Sequence, residues 1–220
     1  MTNISSNPYP VYQGQFGEFT ITESDHQGVI IYRSALLTAA ICFSLGSLLA
    51  ILFASNSLIL NLLTGFYFAF SIALGIALAN IHIYLKLLHR TLQVFLGIGS
   101  LSALVFTAIA FQHQQSLATY IYEHPLTILG VGFTFAAITG IYFKEAFCFN
   151  RFETKFLVAI APTLLLGHLI GWLSLDIEKS LLITWAVLFM IFGLRKFFQA
   201  IPDDIGDKSV FEYLEKQAKS

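Results

Sequence analysis

The segment Lys144 to Arg151 places Lys144, Glu145, Phe147, Cys148, Phe149 and Arg151 within eight residues, interleaving both signs of charge with aromatic rings and one thiol. Rings beside charges suit a surface at lipid-headgroup depth. Two uses are open to it: an interfacial anchor whose charges pair locally, or a docking loop for another membrane protein. A single Cys with no neighbouring motif says nothing by itself about reactivity. His82, Lys86 and His89 follow the i, i+4, i+7 spacing that puts three side chains on one helical face. His168 lies twelve residues into the apolar run 156–175, which at about 1.5 Å per residue predicts a position near mid-membrane. His82 lies close to the end of its own run, so the two imidazoles are expected at different depths, a poor arrangement for bis-His haem ligation. Hydrogen bonding across helices is the simpler role for His168; haem, chlorophyll or metal ligation by a His is the sharper one. His113, Glu123 and His124 read as solvated polar residues. Cys42 and Cys148 have neither metal-ligand spacing nor an evident mutual pairing. No phosphate-binding loop, zinc-protease helix or nucleophile elbow is present. The sequence therefore names no catalytic residue, no metal site and no cofactor, and gives no reason to expect an enzyme.

These residues must be positioned by elements that live in lipid. Hydrophobic residues make up 56% of the chain and charged residues only 11%, against about 25% charged in soluble domains. Apolar spans are expected at 34–54, 62–85, 92–111, 125–143, 156–175 and 180–198, each near the roughly 20 residues that cross a bilayer. The predicted fold is all-α, a polytopic bundle of six transmembrane helices. The first five spans contain no Asp, Glu, Lys or Arg, which removes the usual marker of an ion path or proton relay. In the sixth, Arg195 and Lys196 can snorkel to the interface. The 22 Phe suit helix and lipid packing more simply than a pigment. A net charge of -1 offers no basic field for nucleic acid.

Of the 12 Lys and Arg, all except Lys179 fall on one side of this arrangement. The positive-inside rule then predicts both termini on the cytoplasmic or equivalent side. The chain divides into a polar N-terminal arm over 1–33 with one short strand near Phe19, a six-span domain over 34–200, and a tail over 201–220. In that tail Ser209 and Glu212 form a capping-box pattern that predicts a short amphipathic helix. The arm lacks the basic and apolar regions of a cleaved signal, so the first span is expected to act as the insertion signal. Small residues recur at every fourth position, as in Ser71, Gly75 and Ala79, Gly132, Ala136 and Gly140, and Thr163, Gly167 and Gly171, which predicts close helix approach. An offset of 65 residues aligns Gly65, Phe68, Phe70 and Gly75 with Gly130, Phe133, Phe135 and Gly140, the pattern of a parallel helical-hairpin repeat.

The stretch Gly140 to Lys155, with its Lys-Glu-x-Phe-Cys-Phe core, followed by Pro162 to His168, resembles a family of uncharacterised multi-pass integral membrane proteins of cyanobacterial and plastid type. The resemblance covers most of the chain beyond the arm. It implies a protein of a plasma or thylakoid membrane and carries over no catalytic residue. The expected function is that of a non-enzymatic accessory or assembly protein for a larger membrane complex. The alternatives are a carrier for a small neutral or apolar solute and a haem-, pigment- or redox-linked membrane protein.

Overall fold

The structure is a computed structural model that describes residues 9–14, 16–81, 83, 85–201, 205 and 207. His82 and the helix expected near 209–218 lie outside the described residues. An antiparallel hairpin of β1 (Val11–Gln13) and β2 (Glu18–Thr20) comes first, with Tyr12 opposite Phe19 and their rings stacked at 5.6 Å. The single strand expected near Phe19 therefore has a partner. Seven helices follow among the described residues: α1 (Glu23–Leu52), α2 (Ser57–Asn80), α3 (Lys86–Gln112), the short α4 (Leu117–Glu123), α5 (Ile128–Phe149), α6 (Phe152–Leu169) and α7 (Leu175–Phe197). All but α4 are long and apolar enough to cross a membrane, α5 together with the turn Pro125–Thr127 that leads into it.

Helix α1 starts eleven residues before its apolar run because Thr22 and Asp25 form a capping box. The Asp25 amide donates to Thr22 Oγ1 and the Thr22 amide to Asp25 Oδ2 at 2.9 Å. At 30 residues it is about 45 Å long against a hydrocarbon core of about 30 Å, so its polar first turns project from the bilayer. Asn56 caps α2 by accepting from the amides of Leu58 and Ile59.

Two expected boundaries move. Helix α5 runs on through Phe149, absorbing the segment read as a loop, and stops where Asn150 turns left-handed at φ 48°. Helix α6 starts at Phe152 and stops at Leu169, followed by Gly171 at φ +66°, a conformation glycine adopts without steric cost. That stop cuts Gly171 out of the expected Thr163, Gly167 and Gly171 stripe.

Helix α1 packs against α2 and α7, α5 against α3 and α6, and α6 against α7. The α3–α5 seam is close: a Cβ on Gly99 would overlap the Thr134 backbone, and one on Gly140 would overlap Leu92. Leu36, Leu74, Ile138, Leu157 and Phe189 are fully buried between the helices, while Leu58, Leu87, Leu101 and Phe111 cover the outer surface. An apolar exterior around an apolar interior is what a bilayer solvent demands.

Arg33 on α1 donates to the carbonyls of Gln199 and Ala200 beyond α7, and Gly14 lies against Asp207. Both ends of the described chain therefore meet at one end of the bundle, here the tail end. The loops after α1, α3 and α6 form the far end.

Candidate functional site

The bundle interior has three levels. At the tail end is a knot of charged side chains. Glu145 of α5 is fully buried, and its Oε2 accepts from Lys196 Nζ of α7 at 2.8 Å. Its Oε1 accepts from Lys144 Nζ at 3.0 Å and from the Tyr32 hydroxyl of α1 at 3.2 Å. Lys196 also stands 4.0 Å from the centre of the Phe149 ring, a cation–π contact. Beside this pair, the buried Glu153 of α6 accepts from Arg195 at 2.8 Å and faces Arg151 at 3.5 Å, and Arg151 donates to the Gln199 side chain. The knot ties α1, α5, α6 and α7 together.

This geometry bears on two expectations. Glu145 and Lys196 are buried charges within helices, although Glu145 was expected beyond the end of its span and Lys196 was expected to snorkel to the interface. Lys144, Glu145 and Arg151 were candidates for an outward docking loop, and their side chains are engaged in internal pairs. The physical reason is the continuation of α5, which turns Glu145 inward toward Lys196. Phe147 and the Cys148 thiol stay exposed on the surface.

The middle level is aromatic. Phe43 of α1, Phe70 of α2, Phe135 of α5 and Trp185 of α7 converge, with ring centres 4.7 Å apart for Phe43 and Trp185, 5.4 Å for Phe135 and Trp185, and 5.9 Å for Phe70 and Phe135. Below them Trp185 Nε1 donates to the Tyr142 hydroxyl at 3.2 Å, and Tyr142 packs edge-on against Phe189. Offset, tilted and edge-to-face rings fill this level.

The far-end half opens into a cavity of about 690 Å³, with Phe43, Phe70 and Phe135 as its floor. That volume falls within the roughly 300–1,000 Å³ of small-molecule sites, and its walls are largely apolar as such sites are. Helices α1, α2 and α4 to α7 all contribute to it. Tyr67 on its wall shares a hydrogen bond with Thr134 at 2.6 Å. The charged lining residues are Glu123, Glu178 and Lys179, together with the imidazole of His168.

His168 is one residue from the end of α6, about 24 Å along it by helical rise. It belongs to the far-end rim and not to mid-membrane, because the helix starts earlier and stops earlier than its apolar run. His168 Nδ1 lies 2.7 Å from Glu178 Oε1 at the start of α7, and the Tyr122 ring of α4 packs on the imidazole at 4.8 Å. The Tyr122 hydroxyl donates to Glu178 at 3.5 Å. Desolvation, then the nearby carboxylate, raises its pKa, which keeps that proton in place. His168 Nε2 is buried and has no hydrogen-bond partner among the described residues.

His89 is at the tail end, where its Nε2 bonds the Leu78 carbonyl and joins α3 to α2. It is therefore separated from His168 by the length of the bundle. His113 and His124 flank the Tyr120 ring at the far end, and Glu123 accepts from Gln115. Among the described residues no three His, Cys, Asp or Glu side chains gather as a metal site.

Glu178 and Tyr122 were not legible as site residues. Glu178 reads as an ordinary acidic residue in the first turn of a helix, and Tyr122 belongs to a helix of seven residues that carries no apolar period. The Glu145–Lys196 pair had a signal: opposite charges near the C-terminal ends of two spans that run in the same direction.

Six membrane-spanning helices, a charge-tied tail end and an apolar far-end cavity define a multi-pass integral membrane protein. Residues 76–213 match the family described as Uncharacterized integral membrane protein (DUF2301), and the chain belongs to that family. No curated protein and no solved structure matches it.

Proposed function

We propose that the protein binds and carries a small, largely apolar, membrane-soluble molecule in the far-end cavity. The observation behind this reading is the cavity itself: about 690 Å³ of mainly apolar space with a few polar groups among its lining residues. Below its aromatic floor the interior is filled by packed rings and then by ion pairs. A binding space open at one end and closed at the other is one of the two states an alternating-access carrier requires. This reading is favoured over an assembly role because the charged members of the expected docking loop face inward. With the tail end cytoplasmic, as the Lys and Arg asymmetry supports, the cavity faces the opposite side or its leaflet.

The test is organic extraction and mass spectrometry of the protein purified in mild detergent, beside a Ser47→Phe variant whose ring would occupy the cavity. Ser47 is a buried lining residue. A stoichiometric apolar compound present with the wild type and lost from the variant is expected. Identical extracts containing only bulk lipid would overturn the reading.

A further inference from the structure

We infer that His168 is the specificity-determining residue of the cavity and selects a ligand with a hydroxyl head, a phenol, hydroquinone or alcohol carried on an apolar body. This rests on the cavity being a ligand site, as proposed above, and adds the chemistry of the ligand.

A carboxylate only accepts hydrogen bonds, so the 2.7 Å contact between His168 and Glu178 assigns the proton to Nδ1. In the neutral ring this leaves Nε2 with a lone pair and no hydrogen. That atom is buried and unpartnered among the described residues, while the side chain that carries it lines the cavity. A buried acceptor without a donor carries a desolvation cost, and a hydroxyl donor on a ligand would offset it.

The surroundings hold the imidazole for that role. Tyr122 packs against one part of the ring, and Glu178 holds Nδ1, the arrangement by which a second partner fixes the tautomer and the ring orientation. Glu178 comes from α7, His168 from α6 and Tyr122 from α4, so the acceptor sits where three elements meet at the rim. The rest of the lining is mainly apolar down to the Phe43, Phe70 and Phe135 floor. A ligand reaching from rim to floor thus has one hydrogen-bonding end and an apolar remainder. Lys179 and Glu123 also line the rim. With Glu178 they make two carboxylates against one ammonium, a rim that disfavours an anionic head.

The experiment compares two probes with the same body and different heads, 4-nonylphenol and its methyl ether 4-nonylanisole. Each is titrated into the full-length protein in detergent by thermophoresis. The wild type is expected to bind the phenol about tenfold more tightly than the ether, the scale of one buried hydrogen bond. His168→Phe, which keeps a ring and removes the acceptor, should bring the phenol down to the affinity of the ether and leave the ether unchanged. His168→Gln, which restores an acceptor oxygen, should recover part of the difference and controls for misfolding of the Phe variant. Equal affinity of the wild type for both probes, or a phenol preference that survives His168→Phe, would overturn the hydroxyl assignment and leave the cavity reading standing. Binding of neither probe would overturn both.

Discussion

At the scale of single residues, the most consequential group is the Glu145 carboxylate. It is fully buried and takes three hydrogen bonds from Lys196, Lys144 and Tyr32. Removing one partner of a buried pair strands the other charge, at a cost of about 3–5 kcal/mol, whereas replacing both with apolar groups is often neutral. Glu145→Met is therefore expected to be strongly destabilising in an equilibrium unfolding titration in mixed micelles. Glu145→Met with Lys196→Met should recover most of that loss, and additive losses in the double variant would refute the pairing. The thiols make a second residue-scale prediction. Cys148 is exposed just before the end of α5, and Cys42 lines the cavity inside the bundle. A charged maleimide added to sealed, inverted vesicles should label Cys148 and spare Cys42. Labelling of Cys148 only in right-side-out vesicles would reverse the proposed orientation.

At the scale of elements, the α3–α5 seam shows why position along a helix matters more than residue type. Gly99 is buried against the Thr134 backbone, while an added Cβ on Gly97 meets nothing within 4 Å. Overpacking a closed interface costs about 1–3 kcal/mol, and replacing an exposed helical Gly by Ala gains up to about 1 kcal/mol. Gly99→Leu is expected to lower the unfolding midpoint and Gly97→Ala to hold or raise it. Similar effects from both would mean that α3 and α5 do not meet along this line. The start of α1 is a second case. Thr22→Ala removes the side-chain acceptor of the capping box, a loss of about 0.5–2 kcal/mol. It should show as faster amide exchange over residues 23–27 alone, because those turns project beyond the bilayer and have little packing to hold them.

At the scale of the whole molecule, the two ends of the bundle do opposite things. The tail end is closed by ion pairs that cross from α5 to α7 and from α6 to α7, and the far end is left open above an aromatic floor. A cavity is a stability deficit that a ligand can offset: occupancy at about a hundred times Kd stabilises a protein by about 2.7 kcal/mol. Thermal unfolding is therefore expected to rise with added 4-nonylphenol in the wild type. Ser47→Phe, which fills the space with its own ring, should abolish the ligand-dependent rise. A ligand-dependent shift of full size in that variant would place the binding elsewhere.

How much of this could be read from the chain differs by feature. Six spans, the all-α class and the multi-pass bundle follow from hydropathy and length alone, because a backbone in lipid must satisfy its hydrogen bonds within each helix. The capping box at Thr22 and Asp25 was equally local and open to reading. Helix ends at Phe149 and Leu169 were not, since the run of apolar residues marks where lipid begins and not where hydrogen bonding stops. Those few residues decide whether Glu145 turns inward and whether His168 stands at mid-membrane or at the rim. The partners of both, Lys196 and Glu178, lie on α7, and no sequence period relates them. Sequence by itself determined the solvent, the number of crossings and the family. Only the tertiary structure decided which polar groups meet and where space remains between the helices, because pairing and packing depend on the rotation and end point of each helix against its neighbours.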